Sequence, residues 1–593
     1  MKAFTEPLLS LAGFEEMTKT AEKSSGLISV TGCIDAQKSQ MIYAFGGHRK
    51  NKLIVTFGEQ KAKELYDEYS FFDKEVVYYP SKDVLFYQSD IRGNLLTAER
   101  IRALKAIREQ ERVTLVTTFD ALMNTMAPIE KMWENVLTLE QGQLLDLKEI
   151  QAALIRMGYE KEYQVQTMGQ FSVRGGILDV FPLTEENPIR IELWGDEIDT
   201  IRYFDCESQK SIENIDRVSI YPAAELVLSD EEKAGGIDKL KAEAKRVSDK
   251  LRKQMKTEEA HRVTVMADEL TEEWGELSMY AGMDAFLSYF FDERVGILDY
   301  FKPSDSLIFF DELTRCTEQG KLTETEFSES MKQRLAMGYI LPGQMNGLFT
   351  EKEIVAKLGK YSCIALAALD NKANGLHQLG SYGIHCQSVS PYNNSFELLI
   401  KDLKRYKKNG YRVILLSGSR TRAKRLSEDI TDQGITCFYT ENYDHELFEG
   451  QIMVCYGKVR RGFEYPILKF AVITESDIFG AQQKKKKRHR TYEGEKIQSF
   501  TDLSVGDYVV HENHGLGIYR GIEKLEVDKK VKDYIKIEYQ GGSNLYILAT
   551  QLDMIQKYAG KDARKPKLNK LGGQEWTRTK NRVRGAVKQI AGD

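Results

Sequence analysis

Gly32-Cys33-Ile34-Asp35-Ala36-Gln37-Lys38-Ser39 is the stretch on which the reading of this 593-residue chain turns. It follows an apolar run, Leu27 to Thr31, and leads into a helix-compatible run, Gln40 to Phe45. A phosphate-binding loop places Gly, four residues, Gly, Lys and Ser/Thr in that setting, so that backbone N–H groups cradle phosphate and the lysine reaches it. Every element is present except the second glycine, whose place Gln37 takes. In the left-handed turn that this glycine normally serves, Gln37 is expected to cost about 1–2 kcal/mol of strain and to push a side chain toward the phosphate space. Gly32, Lys38 and Ser39 therefore stand as residual phosphate contacts in an inherited scaffold, with no catalytic residue assigned.

Outward from the loop, the spacing predicts strands at Lys52 to Phe57, Glu75 to Tyr79 and Val113 to Thr117. Between and after them it predicts helices at Glu59 to Tyr69, Thr97 to Glu109 and from Phe119 to Asn124. Such alternation implies a parallel sheet, with the loop at the end of its first strand, where phosphates bind. From Tyr163 to Ile220 the rhythm becomes strand-rich, with turns at Arg174-Gly175-Gly176 and Glu186-Asn187-Pro188. Ile189 to Trp194 and Glu197 to Phe204 predict a hairpin around Gly195-Asp196. This is the pattern of an α+β domain inserted into the first. The α/β pattern resumes after Pro222, with a charged helix expected from Ala234 to Thr257. Ser306 to Glu312 is an apolar strand ending in Asp-Glu, a form in which the Asp holds Mg²⁺ and the Glu positions the attacking water. Asp311 and Glu312 thus join the degenerate nucleotide site, and two halves of one core flank the insertion.

Ser390 to Gly480 predicts a further small α/β domain whose strand-to-helix turn, Ser417-Gly418-Ser419-Arg420, lacks a phosphate loop. Its reading is structural. Lys484 to Arg490 is a basic run, read first as a solvated linker and second as a nucleic-acid contact. Phe500 to Gly560 predicts a small all-β unit whose glycines, at 506, 515, 517, 521, 541 and 542, supply the bends of a tight barrel. His511 and His514 lack further ligands nearby and read as hydrogen-bonded turn histidines rather than a metal site. The chain closes on a basic, helix-compatible segment, Trp576 to Gly592, without a stop signal, the pattern expected of a fragment.

With 42% hydrophobic and 29% charged residues, the composition is that of globular domains, about three to five for this length. A net charge of −5 supplies no global attraction to nucleic acid. Seven scattered cysteines without Cys-x-x-Cys argue against disulfides and zinc and for a reducing cytoplasm. No signal peptide is read at Met1 to Leu11, and no apolar run reaches the roughly 20 residues of a membrane span. In the insertion, Arg174, Arg190 and Arg202 lie beside Phe171, Trp194, Tyr203 and Phe204, residue types that dominate binding hot spots. The competing reading pairs these arginines internally with Asp179, Glu192 and Asp196.

Gly169 to Pro182, Pro188 to Ile198, Arg202 to Asp205 and Ser208-Gln209 resemble the interaction domain of the nucleotide-excision repair protein UvrB, a pattern also found in bacterial transcription-repair coupling factors. Asp507 to Gly521, with Leu545-Tyr546-Ile547 and Gln551-Leu552, resembles the polymerase-interacting, Tudor-like barrel of the coupling factors, which is shared with the CarD proteins. Leu568 to Trp576 is similar to the segment leading into that family's motor, and Thr474 to Gly480 to part of its third domain.

The resemblance implies a multidomain α/β chain. A degenerate RecA-like core at 1–130 and 221–386 would be split by a UvrA-binding domain at 131–220. A small α/β domain (387–480), a basic linker (481–499), a Tudor-like barrel (500–562) and a linker helix toward the motor (563–593) would follow. It implies a transcription-coupled repair factor that binds stalled RNA polymerase and recruits the excinuclease component UvrA. Arg174, Arg190 and Trp194 match the UvrA-binding positions, Trp194 standing where the family often has Phe. Leu525, flanked by Lys524 and Glu526, matches the apolar contact with the RNA polymerase β subunit, with a core role as its rival reading. The family's ATP- and Mg²⁺-dependent motor, which also carries most contact with double-stranded DNA, would lie beyond this chain, so no cofactor is expected within it. The segment after Tyr79 lacks the long aromatic hairpin with which UvrB clamps DNA. The alternatives are an ATP-dependent DNA-remodelling enzyme acting through Lys38 and Asp311, or a DNA-binding module acting through the 484–490 run.

Overall fold

The computed structural model describes residues 1–46, 50–82, 94–206, 208–276, 283–369, 375–480, 494–496, 503–511, 515–527, 530–548, 555–558 and 568–569. The first strands are β1 (Gly26–Thr31), β2 (Asn51–Thr56), β3 (Val76–Tyr79) and β4 (Val113–Thr118). Next in the chain come β5 (Leu137–Glu140), β6 (Glu160–Lys161), β7 (Gln170–Arg174), β8 (Ile177–Val180), β9 (Ile189–Trp194), β10 (Glu197–Phe204), β11 (Ser211–Ile215) and β12 (Arg217–Ile220). The first sheet is then completed by β13 (Ser306–Asp311), β14 (Ser362–Leu366) and β15 (Gln378–Gly383), in the order β15-β1-β14-β13-β2-β4-β3. Every neighbouring pair in it is parallel. Strands nearly two hundred residues apart thus build one sheet, and the segment that separates them carries a sheet of its own while its flanking helices join the core of the first.

A parallel sheet is covered on both faces, and β4 and β13 are accordingly buried at every position. Side chains alternate between the faces. Leu53, Val55, Leu115, Ile308 and Phe310 join one core with Ile101 and Leu104 of the Asn94–Glu109 helix. Ile54, Val116, Phe309 and Ile364 join another with the Lys2–Leu9, Asp35–Phe45 and Glu59–Tyr69 helices.

That second core does not end at the helices. The third sheet comprises β16 (Gln387–Ser388), β17 (Arg412–Ser417), β18 (Phe438–Tyr439), β19 (Ile452–Tyr456), β20 (Phe463–Tyr465) and β21 (Phe470–Thr474), in the order β16-β20-β21-β17-β19-β18. One of its faces, with Leu416, Met453, Phe463, Tyr465 and Val472, packs into the same cluster. Its other face holds the Phe396–Lys408 and Arg420–Asp432 helices. One helix layer therefore serves two sheets. The Asp35–Phe45 helix, in the middle of it, buries Gln37, Lys38, Ser39, Gln40, Met41, Ile42 and Phe45. Its Gln40 amide donates to the Phe4 carbonyl at 2.5 Å and accepts from the Tyr465 hydroxyl at 3.3 Å.

The inserted segment forms an independent sheet, β11-β10-β9-β8-β7-β6, with β12 and β5 pairing beside it. The charged helix expected from Ala234 to Thr257 is present, shifted a few residues toward the N-terminus, and a second helix follows it. Asp230–Lys253 starts on a Ser229/Glu232 capping box, and after Met255, at φ +62°, the chain restarts as Thr257–Glu276. The C-terminal unit holds β22 (Gly494–Lys496), β23 (Tyr508–His511), β24 (Gly515–Val527), β25 (Lys530–Glu538), β26 (Asn544–Leu548) and β27 (Ile555–Tyr558) in one antiparallel sheet, β22-β27-β23-β24-β25-β26. The strand expected at Gly517 to Arg520 runs on to Val527, because pairing with β25 resumes after a register slip between Tyr519 and Ile522. His511 ends β23 and is 2% exposed, a strand residue and not a turn residue. His514, the 484–490 run and the 576–592 segment lie outside the described residues. Among the described residues no helix is long and apolar enough to cross a membrane, and no group of three or more His, Cys, Asp or Glu could hold a metal ion.

Candidate functional site

Two places carry the sequence's functional signals: the near-phosphate loop and the outer face of the inserted sheet. At the first, the helix begins at Asp35 and not at Gln40. Only Gly32, Cys33 and Ile34 separate it from β1, so the residues that would wrap a phosphate are already helical. The strain expected at Gln37 is absent: Gln37 lies within the helix, and the left-handed residue of this turn is Gly32, at φ +78°. A Cβ on Gly32 would run into the Ile384 backbone carbonyl, which explains why a glycine stands there. Two of the loop's donors are also spent. The Gly32 N–H donates to the Ala368 carbonyl at 3.2 Å and the Cys33 N–H to that of Ala367 at 2.9 Å. Among the described residues the buried Gln37 amide and Ser39 hydroxyl have no hydrogen-bond partner.

Lys38, Asp311 and Glu312 do come together, but on one another. The Lys38 ammonium, on a side chain 1% exposed, lies 2.5 Å from Asp311, 3.0 Å from Glu312 and 3.2 Å from Asp35. Asp311, equally buried, also accepts from the Thr56 hydroxyl at 3.0 Å. The Glu312 carboxylate accepts from the Ala368 N–H at 3.1 Å, while its backbone is left-handed at φ +59°. Asp35 is held from the other side by Lys61 at 2.9 Å. Burial alone would depress the Lys38 ammonium, yet the Asp311 and Glu312 charges outweigh it and hold its pKa above the ordinary value. A lysine with all three protons so engaged is an internal strut. The sequence left Thr56, Lys61 and the Ala367–Ala368 carbonyls unmarked. Asp35 alone carried a signal, its i,i+3 spacing to Lys38.

On the inserted sheet, strand register aligns Asp179 of β8, Arg190 of β9 and Arg202 of β10 in one row. The internal pairing weighed against hot-spot arginines is present for Asp179 and Glu192, and among the described residues Asp196 pairs with none of them. Arg190 grips Asp179 through Nε at 2.7 Å and through an Nη at 2.9 Å, donates to Gln209 at 2.8 Å and stacks 4.4 Å from the centroid of Phe204. Arg174 reaches the same carboxylate, itself 1% exposed, at 2.8 Å, and Arg202 pairs with Glu192. Arg174 keeps 37% of its side chain exposed, against 13% for Arg190. Trp194, at the end of β9, is 85% exposed. It borders a cleft of about 680 Å³ that includes Glu140, Glu197, Asp199 and Asp216. Leu144 and Tyr163, two further exposed side chains of this domain, carried no sequence signal.

In the C-terminal sheet, Lys524, Leu525 and Glu526 lie on β24, in register with Asp533, Lys532 and Val531 of β25. Their side chains lie outside the described residues. The core beneath is Val509, Tyr519, Ile535, Ile537, Tyr539, Ile547 and Ile555.

Comparison with known proteins places names on two of these units. A family model described as the UvrB interaction domain matches residues 137–226, and one described as the CarD-like/TRCF RID domain matches residues 503–559. The transcription-repair-coupling factor of Bacillus subtilis (strain 168) is 32% identical over 543 residues, covering 91% of this chain and 46% of that protein. Proteins of the same name from Staphylococcus haemolyticus (strain JCSC1435) and Staphylococcus aureus (strain MRSA252) are 31% and 30% identical, over 95% and 98% of this chain and 48% and 49% of theirs. The chain spans about half the length of the curated relatives it matches.

Proposed function

We propose that this chain is an adaptor of transcription-coupled nucleotide-excision repair. The outer face of β7–β10 takes the excinuclease component UvrA, and the C-terminal sheet takes the β subunit of a stalled RNA polymerase. The observation that carries this reading is the pairing of the two family-model matches, 137–226 and 503–559, within an alignment that spans nearly the whole chain. The geometry supports a division of labour on the first surface. Trp194 and Arg174 are the exposed anchors, while Arg190 holds Asp179 and keeps the row rigid. An exposed aromatic and a partly exposed guanidinium on one sheet are the residue types of a hot spot.

In the same reading the first sheet is a degenerate RecA-like core and the C-terminal sheet a Tudor-like barrel, working in the cytoplasm. Leu525 is its apolar anchor, with Lys524 and Glu526 as charged flanks. No nucleotide is assigned to Gly32, Lys38, Ser39, Asp311 and Glu312, because the ammonium that would meet a phosphate already meets three carboxylates. ATP, Mg²⁺ and duplex DNA, which the resemblance ties to motor lobes, are assigned to none of the described residues.

Trp194→Ala and Arg174→Ala are expected to abolish capture of purified UvrA with the melting temperature unchanged. Wild-type capture by both variants would remove the assignment. Leu525→Arg is expected to prevent binding to the isolated polymerase β subunit, and normal affinity in that variant would exclude the contact.

A further inference from the structure

At the opposite end of the first sheet's strands, around the N-terminal ends of β2 and β4, lies a cleft of about 590 Å³ that no part of the proposed function uses. Cations from three separate segments line it: Lys50 and Lys52 at β2, Lys74 before β3, and Arg112 before β4. Two carboxylates, Asp73 and Glu75, share the space. Lys50, Lys74 and Arg112 are exposed and have no ion-pair partner among the described residues. Exposed cations alone describe a solvated rim. Lys52 makes this cleft different.

The Lys52 side chain is only 12% exposed. Among the described residues its ammonium makes one hydrogen bond, to the Tyr69 hydroxyl at 3.0 Å, and it lies 5.6 Å from the ring centroids of Tyr43 and Tyr69. The nearest carboxylate, Asp73, is 3.9 Å away and already accepts from the Thr114 hydroxyl at 2.8 Å and the Glu75 N–H at 3.0 Å. An ammonium has three protons to satisfy, and burying it incompletely paired is costly. Burial pushes its pKa below the ordinary lysine value, and Asp73 only partly opposes this. The backbone is shaped around the stem: a Cβ on Gly46 would come within 2.5 Å of the Lys52 Cδ and 2.8 Å of its Cε. An incoming anion would complete the ammonium's hydrogen bonding and neutralise the three unpaired cations on the rim.

Beside the cations stand apolar walls. Tyr43 is half-buried against Phe72, with ring centroids 5.6 Å apart, and Leu9 is 66% exposed. The volume lies in the range of small-molecule sites, and an aromatic face beside cations suits a base next to its phosphate.

We propose that this cleft binds a nucleotide phosphate, free or at the end of a strand, with Lys52 and Arg112 on the phosphate and Tyr43 against the base. It is a binding site, separate from the near-phosphate loop, which lies at the other end of the strands.

The test is equilibrium titration of the full chain with methylanthraniloyl-ADP, followed by competition with inorganic phosphate and with a thymidine tetranucleotide with and without its 5′-phosphate. Saturable binding is expected, weakened about tenfold or more by Arg112→Glu, the scale of one charge-assisted hydrogen bond. Lys52→Met should do the same, and because that side chain is buried, the exposed Lys74→Glu provides a variant whose folding is not at issue. The phosphorylated tetranucleotide should compete better than the unphosphorylated one. Absence of binding, or binding unchanged by Arg112→Glu and Lys74→Glu, would overturn the site. Equal competition by the two tetranucleotides would also overturn it, pointing to a strand's backbone in place of a terminal phosphate. None of these outcomes bears on Trp194 or Leu525, so the adaptor reading stands or falls on its own captures.

Discussion

Replacing Lys38 with methionine separates a strut from a phosphate contact. A lysine kept for phosphate alone would be dispensable to the fold. Lys38 instead faces Asp311, Glu312 and Asp35 with 1% of its side chain exposed. Methionine keeps most of the volume, so packing changes little and the stranded charge sets the cost. Asp35 is 70% exposed and Glu312 22%, so water can take over both. Asp311, at 1%, keeps only the Thr56 hydroxyl among these partners. Removing one member of a buried pair typically costs about 3–5 kcal/mol. With two of three carboxylates rehydrated, the lower end applies, about 3 kcal/mol, or roughly a hundredfold in a local opening equilibrium. Because a multidomain chain does not unfold in one step, the assay is hydrogen exchange of peptides spanning β1 and the Asp35–Phe45 helix. Protection there should fall roughly a hundredfold in Lys38→Met, and Lys38→Met with Asp311→Leu should recover most of it. A loss below about fivefold in the single variant would refute the strut.

Glu225 is pushed up by burial, but Arg100 and Lys82 outweigh this and hold it at about 2, against 4.5 for a free glutamate. Its stabilising share is therefore complete above pH 4.5 and lost as pH falls from there toward 2. Acid melts monitored on the first core should lose that step in Glu225→Gln. Glu68, 8% exposed where Arg460, between β19 and β20, bonds to Glu64, is pushed up to about 7 by burial, Lys61 and Arg460 only partly opposing it. The folded state then holds the extra proton between pH 4.5 and 7, so stability should fall as pH rises through that window. Thermal melts of Glu68→Gln between pH 5 and 8 should be flatter than wild type and higher at pH 8. Gly320→Ala should lower stability even though alanine favours helix: the added Cβ would come 2.5 Å from the Phe119 ring. A calorimetric gain in that variant would contradict the packing.

Local pattern carried far in this chain. The helix at Glu59–Tyr69 and the hairpin strands Ile189–Trp194 and Glu197–Phe204 stand where periodicity and the Gly195-Asp196 turn predict them. Strand-helix alternation on both sides of the insertion announced one parallel sheet, and β13 does sit between β14 and β2. These are properties of a few neighbouring residues, which is the range over which side-chain spacing and turn chemistry act.

What lies beyond that range was decided by distant segments. The Gln37 strain vanished because the helix starts early, where Ala367 and Ala368, more than three hundred residues away, take the Gly32 and Cys33 N–H groups. That Lys38 is a strut depended on Asp311 arriving beside it, and that its helix is buried all round depended on Tyr465 and its sheet packing from the far side. Arg174, Arg190 and Trp194 look alike as sequence. Only the register of β8, β9 and β10 commits Arg190 to Asp179 and leaves Trp194 in water. The sequence by itself determined which elements form and where their apolar faces lie, because those are set by local spacing. The tertiary structure decided which polar groups are spent and which are free, because each hydrogen bond of a buried charge is settled by whichever distant atom packs against it.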